Sequence, residues 1–181
     1  MSRAAVLAPG YGGTATQPVL RSLTKALAGY SIDALPITFR TRGKRPSRDY
    51  ADELADLRAA RDELKATHGL VALVGRSFGG RMCAFLAEAE PPDALAILGH
   101  PIAPPDRPRP RDEAALSSVR CRTLVVQGSA DELGPVAVLA RIAGGNPLID
   151  LVVVEGAGHD LGAHEREAVD HVARWLDAAL R

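Results

Sequence analysis

The chain is poor in cysteine, with two in 181 residues, and it has no net charge, since 22 basic residues face 22 acidic ones. Cys83 and Cys121 stand apart with no C-x-x-C spacing and no histidine arranged to share a metal with them, so neither a disulfide framework nor a zinc site organises the fold. Cys83 lies in an apolar stretch of helical period and reads as a small buried core residue. The balanced charge gives no global case for nucleic acid or a membrane surface as partner. Long hydrophobic runs are missing as well. The run after Met1 stops at Pro9 and Gly10, short of the roughly 7–15 residues of a secretory signal core, and no later run approaches the ~18 needed to span a bilayer. A cytoplasmic chain without a metal or cofactor is the expectation.

What is present has globular composition, 46% hydrophobic and 24% charged. The length suits a single domain over residues 1–181, large enough to bury a core without covalent staples. Short aliphatic and β-branched runs alternate with longer segments of helical period, the pattern of a parallel α/β sheet covered on both faces. The runs predict six strands, at Ala4–Ala8, Ile32–Phe39, Leu70–Val74, Ala94–Leu98, Thr123–Gln127 and Ile149–Val154. They mostly lack polar alternation, as strands buried on both faces do.

Apolar residues three and four apart predict crossover helices through Val19–Tyr30, Tyr50–Leu64 and Met82–Leu86, and another after Pro135. The clearest stripe, Ala168, Val169, Val172, Trp175, Leu176 and Leu180, closes the chain against the sheet. Two stretches read as irregular: the basic RTRGKRPSR at 40–48, and HPIAPPDRPRPRD at 100–112, whose five prolines rule out regular helix or central strand.

The third strand runs into Gly75-Arg76-Ser77-Phe78-Gly79-Gly80 and then into a helix. This is G-x-S-x-G in the strand–turn–helix context where the pattern carries chemistry. The serine sits on a sharp turn, the flanking glycines avoid collisions, and the following helix aims unpaired N–H groups at charge developing beside the hydroxyl. A nucleophilic serine needs a base and a group to orient it, in chain order serine, acid, histidine. Asp131 follows the fifth strand in GSAD, and His159 follows the sixth in EGAGHD. In a parallel sheet the carboxyl ends of the strands face one crevice, so Ser77, Asp131 and His159 converge there. Glu132, next to Asp131, stays open as the acid. Of the other histidines, His100 also follows a strand but precedes the acid, whereas His68, His164 and His171 sit on helical segments and read as solvated or capping residues.

The opening VLAPGYGGTA offers a rival. Gly10, Gly12 and Ala15 fit the dinucleotide-binding G-x-G-x-x-G/A, and Arg40 and Arg42 follow the second strand, where a 2′-phosphate would be read. That motif must open a helix near Gly12, and Pro18 would then fall in its second turn. A longer loop, with Thr16 as N-cap and Pro18 in the first turn, suits the chain better.

The runs LVALVGRSFGGRM, ILGHPIAPP, LVVQGSADELG and VEGAGHDL together resemble the α/β-hydrolase superfamily across nearly the whole chain. Within it, the chain resembles a small lidless, dienelactone-hydrolase-like group that includes the hydrolase-like subunit of the non-specific-lethal chromatin complex. The resemblance implies a three-layer α/β sandwich on a mostly parallel sheet of about six strands, in the order 2-1-3-4-5-6 of those above, without a lid. It implies a serine hydrolase of carboxylesterase type acting on a small-molecule ester, thioester or lactone. Ser77, Asp131 and His159 form the triad, and the backbone N–H groups of Tyr11 and Phe78 form the oxyanion hole. Pro9 stands where relatives often carry histidine, so the usual brace of that loop is missing. Candidate substrate-binding residues are Arg40, Arg76 and His100, and the basic rim of 40–48 with Arg107, Arg109 and Arg111 suits an anionic ester or else is a solvated loop. A scaffold with the same fold and no chemistry is the alternative.

Overall fold

The computed structural model describes residues 1–181. Six parallel strands, β1 (Arg3–Ala8), β2 (Ile32–Pro36), β3 (Leu70–Arg76), β4 (Ala94–Leu98), β5 (Arg122–Gly128) and β6 (Ile149–Val154), form one sheet in the order β2-β1-β3-β4-β5-β6. Six helices alternate with them: α1 (Pro18–Ala28), α2 (Ala51–Lys65), α3 (Phe78–Ala89), α4 (Pro110–Ser117), α5 (Val136–Gly145) and α6 (Glu165–Ala179).

Successive strand residues point to opposite faces, and both faces are buried. Val6, Leu73, Leu95, Ile97 and Val125 pack with Leu57 of α2, Met82 and Phe85 of α3, Leu116 of α4 and Leu139 of α5. Their neighbours Leu7, Ala72, Val74, Ala96 and Val126 pack with Leu20 and Leu23 of α1 and Val169, Val172 and Leu176 of α6. The sheet is therefore the middle layer of three, as expected. No helix is long and apolar enough to cross a membrane.

The elements differ from expectation where proline or a side-chain bond sets a boundary. β2 ends at Pro36 and not Phe39. Proline is tolerated there because β2 is an edge strand, and one more ladder bond, Ile37 N–H to Leu7 O at 2.9 Å, follows before the chain turns away. α1 does begin at Pro18, but its N-cap is Gln17 and not Thr16; the helix expected after Pro135 begins at Val136, with Pro135 as its N-cap. The stretch 100–112 is not wholly irregular, because Pro110 opens α4. Its fixed φ suits a first helical turn, and Asp112 and Glu113 in that turn complement the helix dipole.

Candidate active site

β3 is hydrogen-bonded between β1 and β4 and passes directly into α3. The whole reversal falls on Ser77, which has φ 49° and ψ −111°, a conformation costing a non-glycine residue about 1–3 kcal/mol. The surroundings hold it there: Ser77 N–H donates to Leu98 O at 3.0 Å, and Ser77 O accepts from Arg81 N–H at 3.1 Å. The flanking glycines permit the approach. A Cβ on Gly75 would lie 2.4 Å from Gly80 N, and one on Gly79 would lie 2.4 Å from Ala8 O.

Ser77 Oγ lies 2.8 Å from His159 Nε2, and His159 Nδ1 lies 2.9 Å from Asp131 Oδ2. An ionised carboxylate only accepts, so Nδ1 carries the proton and Nε2 accepts from the serine hydroxyl. The Asp131 side chain is fully buried. Gln127 Nε2 donates to its Oδ2 at 2.7 Å, and Leu133 N–H donates to its Oδ1 at 2.9 Å. Glu132 is exposed, and only Asp131 bonds the histidine.

The N–H groups of Tyr11 and Phe78 donate to no acceptor in the protein. The two residues line one cleft of about 460 Å³ with Ser77 and His159, their rings edge to face at 5.8 Å. In the loop carrying Tyr11, Gly10 N–H donates to Gln17 Oε1 at 2.9 Å and Gly13 N–H to Gly10 O at 2.9 Å. Gln17 thus supplies a brace that Pro9 could not. This loop leads to a helix only at Pro18, so Gly12 does not open a phosphate-binding helix. No group of three or more His, Cys, Asp or Glu is placed to hold a metal ion.

The three expected substrate-binding residues lie outside this cleft. Arg40 is engaged by Asp56 of α2, through its Nε at 2.6 Å and its backbone N–H at 2.8 Å. Arg76 is buried and ties loops together: it donates to Leu98 O at 3.3 Å, to Gly99 O at 3.4 Å and to the carbonyl of His159. Burial lowers its affinity for the proton, and Asp131, Asp160 and Glu165 work against that. His100 is fully buried with neither ring nitrogen partnered, and burial pushes its pKa down to about 4. Its neighbour Pro101 is the wall residue.

Gln127 and Arg81 escaped the sequence reading although each leaves a trace in it. Gln127 is a polar residue ending an apolar strand, where a buried amide must find partners; besides Asp131 it bonds Gly134 O and His100 N–H, each at 2.8 Å. Arg81 interrupts the apolar run of α3, and a buried arginine needs an acid. It pairs with Asp112 and reaches Tyr50 Oη at 2.9 Å.

A family model described as an alpha/beta hydrolase domain matches residues 1–181. No curated protein matches the chain. Among solved structures, an alpha-beta serine hydrolase homologue from Coxiella burnetii is 23% identical, with a TM-score of 0.82 over 97% of this chain and 86% of that one. Est1E from Butyrivibrio proteoclasticus, solved with ferulic acid bound, is 17% identical, with a TM-score of 0.82 over 96% and 88%. An a/b serine hydrolase without a lid from Xanthomonas campestris is 23% identical, with a TM-score of 0.72 over 95% and 82%.

Proposed function

Because the chain belongs to the family of alpha/beta hydrolase domains, we propose that it is a serine hydrolase that cleaves a carboxylic ester, thioester or lactone through an acyl-enzyme on Ser77. The observation that carries this reading is the continuous relay from Ser77 Oγ through His159 to Asp131, at 2.8 and 2.9 Å.

His159 Nε2 takes the hydroxyl proton as Ser77 Oγ bonds the acyl carbon. The carbonyl electron pair moves onto oxygen, where the N–H groups of Tyr11 and Phe78 hold it; one such donor is worth about 3–4 kcal/mol in the transition state. Collapse expels the leaving group, which takes the proton from Nε2. Water then repeats the sequence on the acyl-enzyme, releasing the acid and restoring Ser77. Asp131 keeps the imidazole in its tautomer and stabilises the imidazolium.

The test is turnover of simple esters of graded acyl length by the native chain, Ser77→Ala and His159→Ala. Hydrolysis by the native chain with losses of about 10³-fold or more in both variants is expected. Turnover surviving Ser77→Ala would overturn the reading.

A further inference from the structure

The cleft that holds Ser77 is lined by Arg45, Arg81, Arg107 and Arg109, and by no acidic residue. Nearby carboxylates are engaged elsewhere: Asp112 by Arg81, Glu113 by Arg141 and Asp56 by Arg40. Arg45, Arg107 and Arg109 have no carboxylate within 4.0 Å. Arg109 is the half-buried one of these. Its Nη1 donates to Pro101 O at 2.8 Å, which fixes the guanidinium and leaves its other N–H groups without a protein acceptor. Burial and the charges of Arg81 and Arg107 disfavour the protonated form of Arg109 and outweigh Asp112 and Tyr50, which favour it. A partly desolvated cation held among other cations is stabilised by an anion in the same space.

The backbone that carries the cations is also held in place. Buried Glu53 accepts from Thr41 Oγ1 at 2.6 Å and Ser47 N–H at 3.1 Å, pinning both ends of the loop that carries Arg45. Prolines 104, 105, 108 and 110 restrict the backbone around Arg107 and Arg109. An adjoining groove of about 500 Å³ shares Arg45, Arg81, Arg107 and Arg109 and adds Arg111 with the acids Asp49 and Asp112; five arginines against two carboxylates, one of them paired with Arg81, continue the positive surface away from the nucleophile. The rings of Phe78 and Tyr50 share the cleft wall.

We propose that the ester taken by Ser77 carries a second group, a carboxylate, which Arg109 binds with Arg45 and Arg107 while the intervening chain lies on Phe78 and Tyr50. This inference rests on the hydrolase reading above and gives that site its substrate class.

Two matched pairs test it: monoethyl adipate against ethyl hexanoate, with the anion on the acyl side, and 4-acetoxybutanoate against butyl acetate, with the anion on the alcohol side. In at least one pair the anionic member is expected to have a kcat/KM about tenfold or more above its neutral partner, an advantage that shrinks as salt is raised. Arg109→Gln is expected to bring that ratio near unity, and Arg40→Gln, whose side chain lies outside the cleft, to leave the ratio as it was. Calorimetry reads the same site without turnover: the monoamide of adipic acid, with one carboxylate, should bind the native protein about tenfold or more tighter than the neutral hexanamide, and Arg109→Gln should erase the difference. Ratios near unity in both pairs, with the neutral esters hydrolysed, overturn this inference and leave the hydrolase standing. Absence of any turnover overturns the hydrolase reading, and equal binding of adipic monoamide and hexanamide then overturns the anion site as well.

Discussion

Gln127 Nε2 lies 2.7 Å from Asp131 Oδ2, both side chains buried, so the carboxylate that bonds His159 is itself held by an amide from the end of β5. Gln127→Ala removes that donor and leaves Gly134 O and His100 N–H without their side-chain partner. A hydrogen bond to a charged group is worth about 1.5–3 kcal/mol. The expected outcome in ester turnover is a kcat lower by about 10–100-fold with KM little changed. An unchanged kcat would remove Gln127 from the positioning of Asp131.

Arg76, beside the nucleophile in sequence, acts through backbone carbonyls of β4, Gly99 and His159. Arg76→Met is expected to lower stability by about 2–3 kcal/mol in denaturant titration, because it strands buried acceptors. It should also reduce kcat for anionic and neutral esters alike. A selective loss on the anionic esters would restore Arg76 as a substrate-binding residue.

Gly79→Ala forces a Cβ to 2.4 Å from Ala8 O, against backbone that cannot move away cheaply. A loss of about 3 kcal/mol or more is expected, seen as a lower urea midpoint. Gly144→Ala, in α5 with nothing within 4 Å of the new Cβ, is expected to raise stability by about 0.5–1 kcal/mol.

His100 titrates near 4 when folded because it is buried, and near 6.5 when unfolded. Between these values the unfolded chain binds the extra proton, so its contribution to stability is complete above about pH 6.5 and is lost as pH falls towards 4. The loss is roughly 3 kcal/mol at 1.36 kcal/mol per unit. In His100→Phe the slope of unfolding free energy against pH should be shallower across that window. An identical slope would show that other groups carry the acid sensitivity.

The sheet was legible because a strand buried on both faces must be an unbroken apolar run, and β3 and β4 fall on such runs with their starts as read. Boundaries set by a single bond were not legible: Gln17, engaged with Gly10, heads α1, and Pro110 begins a helix inside a proline-rich stretch. The same division holds at the site. Ser77, Asp131 and His159 could be placed because strand ends fix their loops on one edge. The partner of each arginine depends on which acid the helices bring near. Sequence put Arg40 at the cleft through its position after β2, yet Asp56, one turn into α2, holds it outside. Arg45, Arg107 and Arg109 are the residues that remain free to face a ligand.

The central claim, that Ser77 is a nucleophile activated by His159, is tested most directly by reacting the native chain with a fluorophosphonate and mapping the adduct by peptide mass spectrometry. One phosphonyl group on the Ser77 peptide is predicted in the native chain, none in Ser77→Ala, and labelling slower by about 10³-fold in His159→Ala. An unlabelled Ser77 in the folded native chain, or equal labelling without His159, would contradict it.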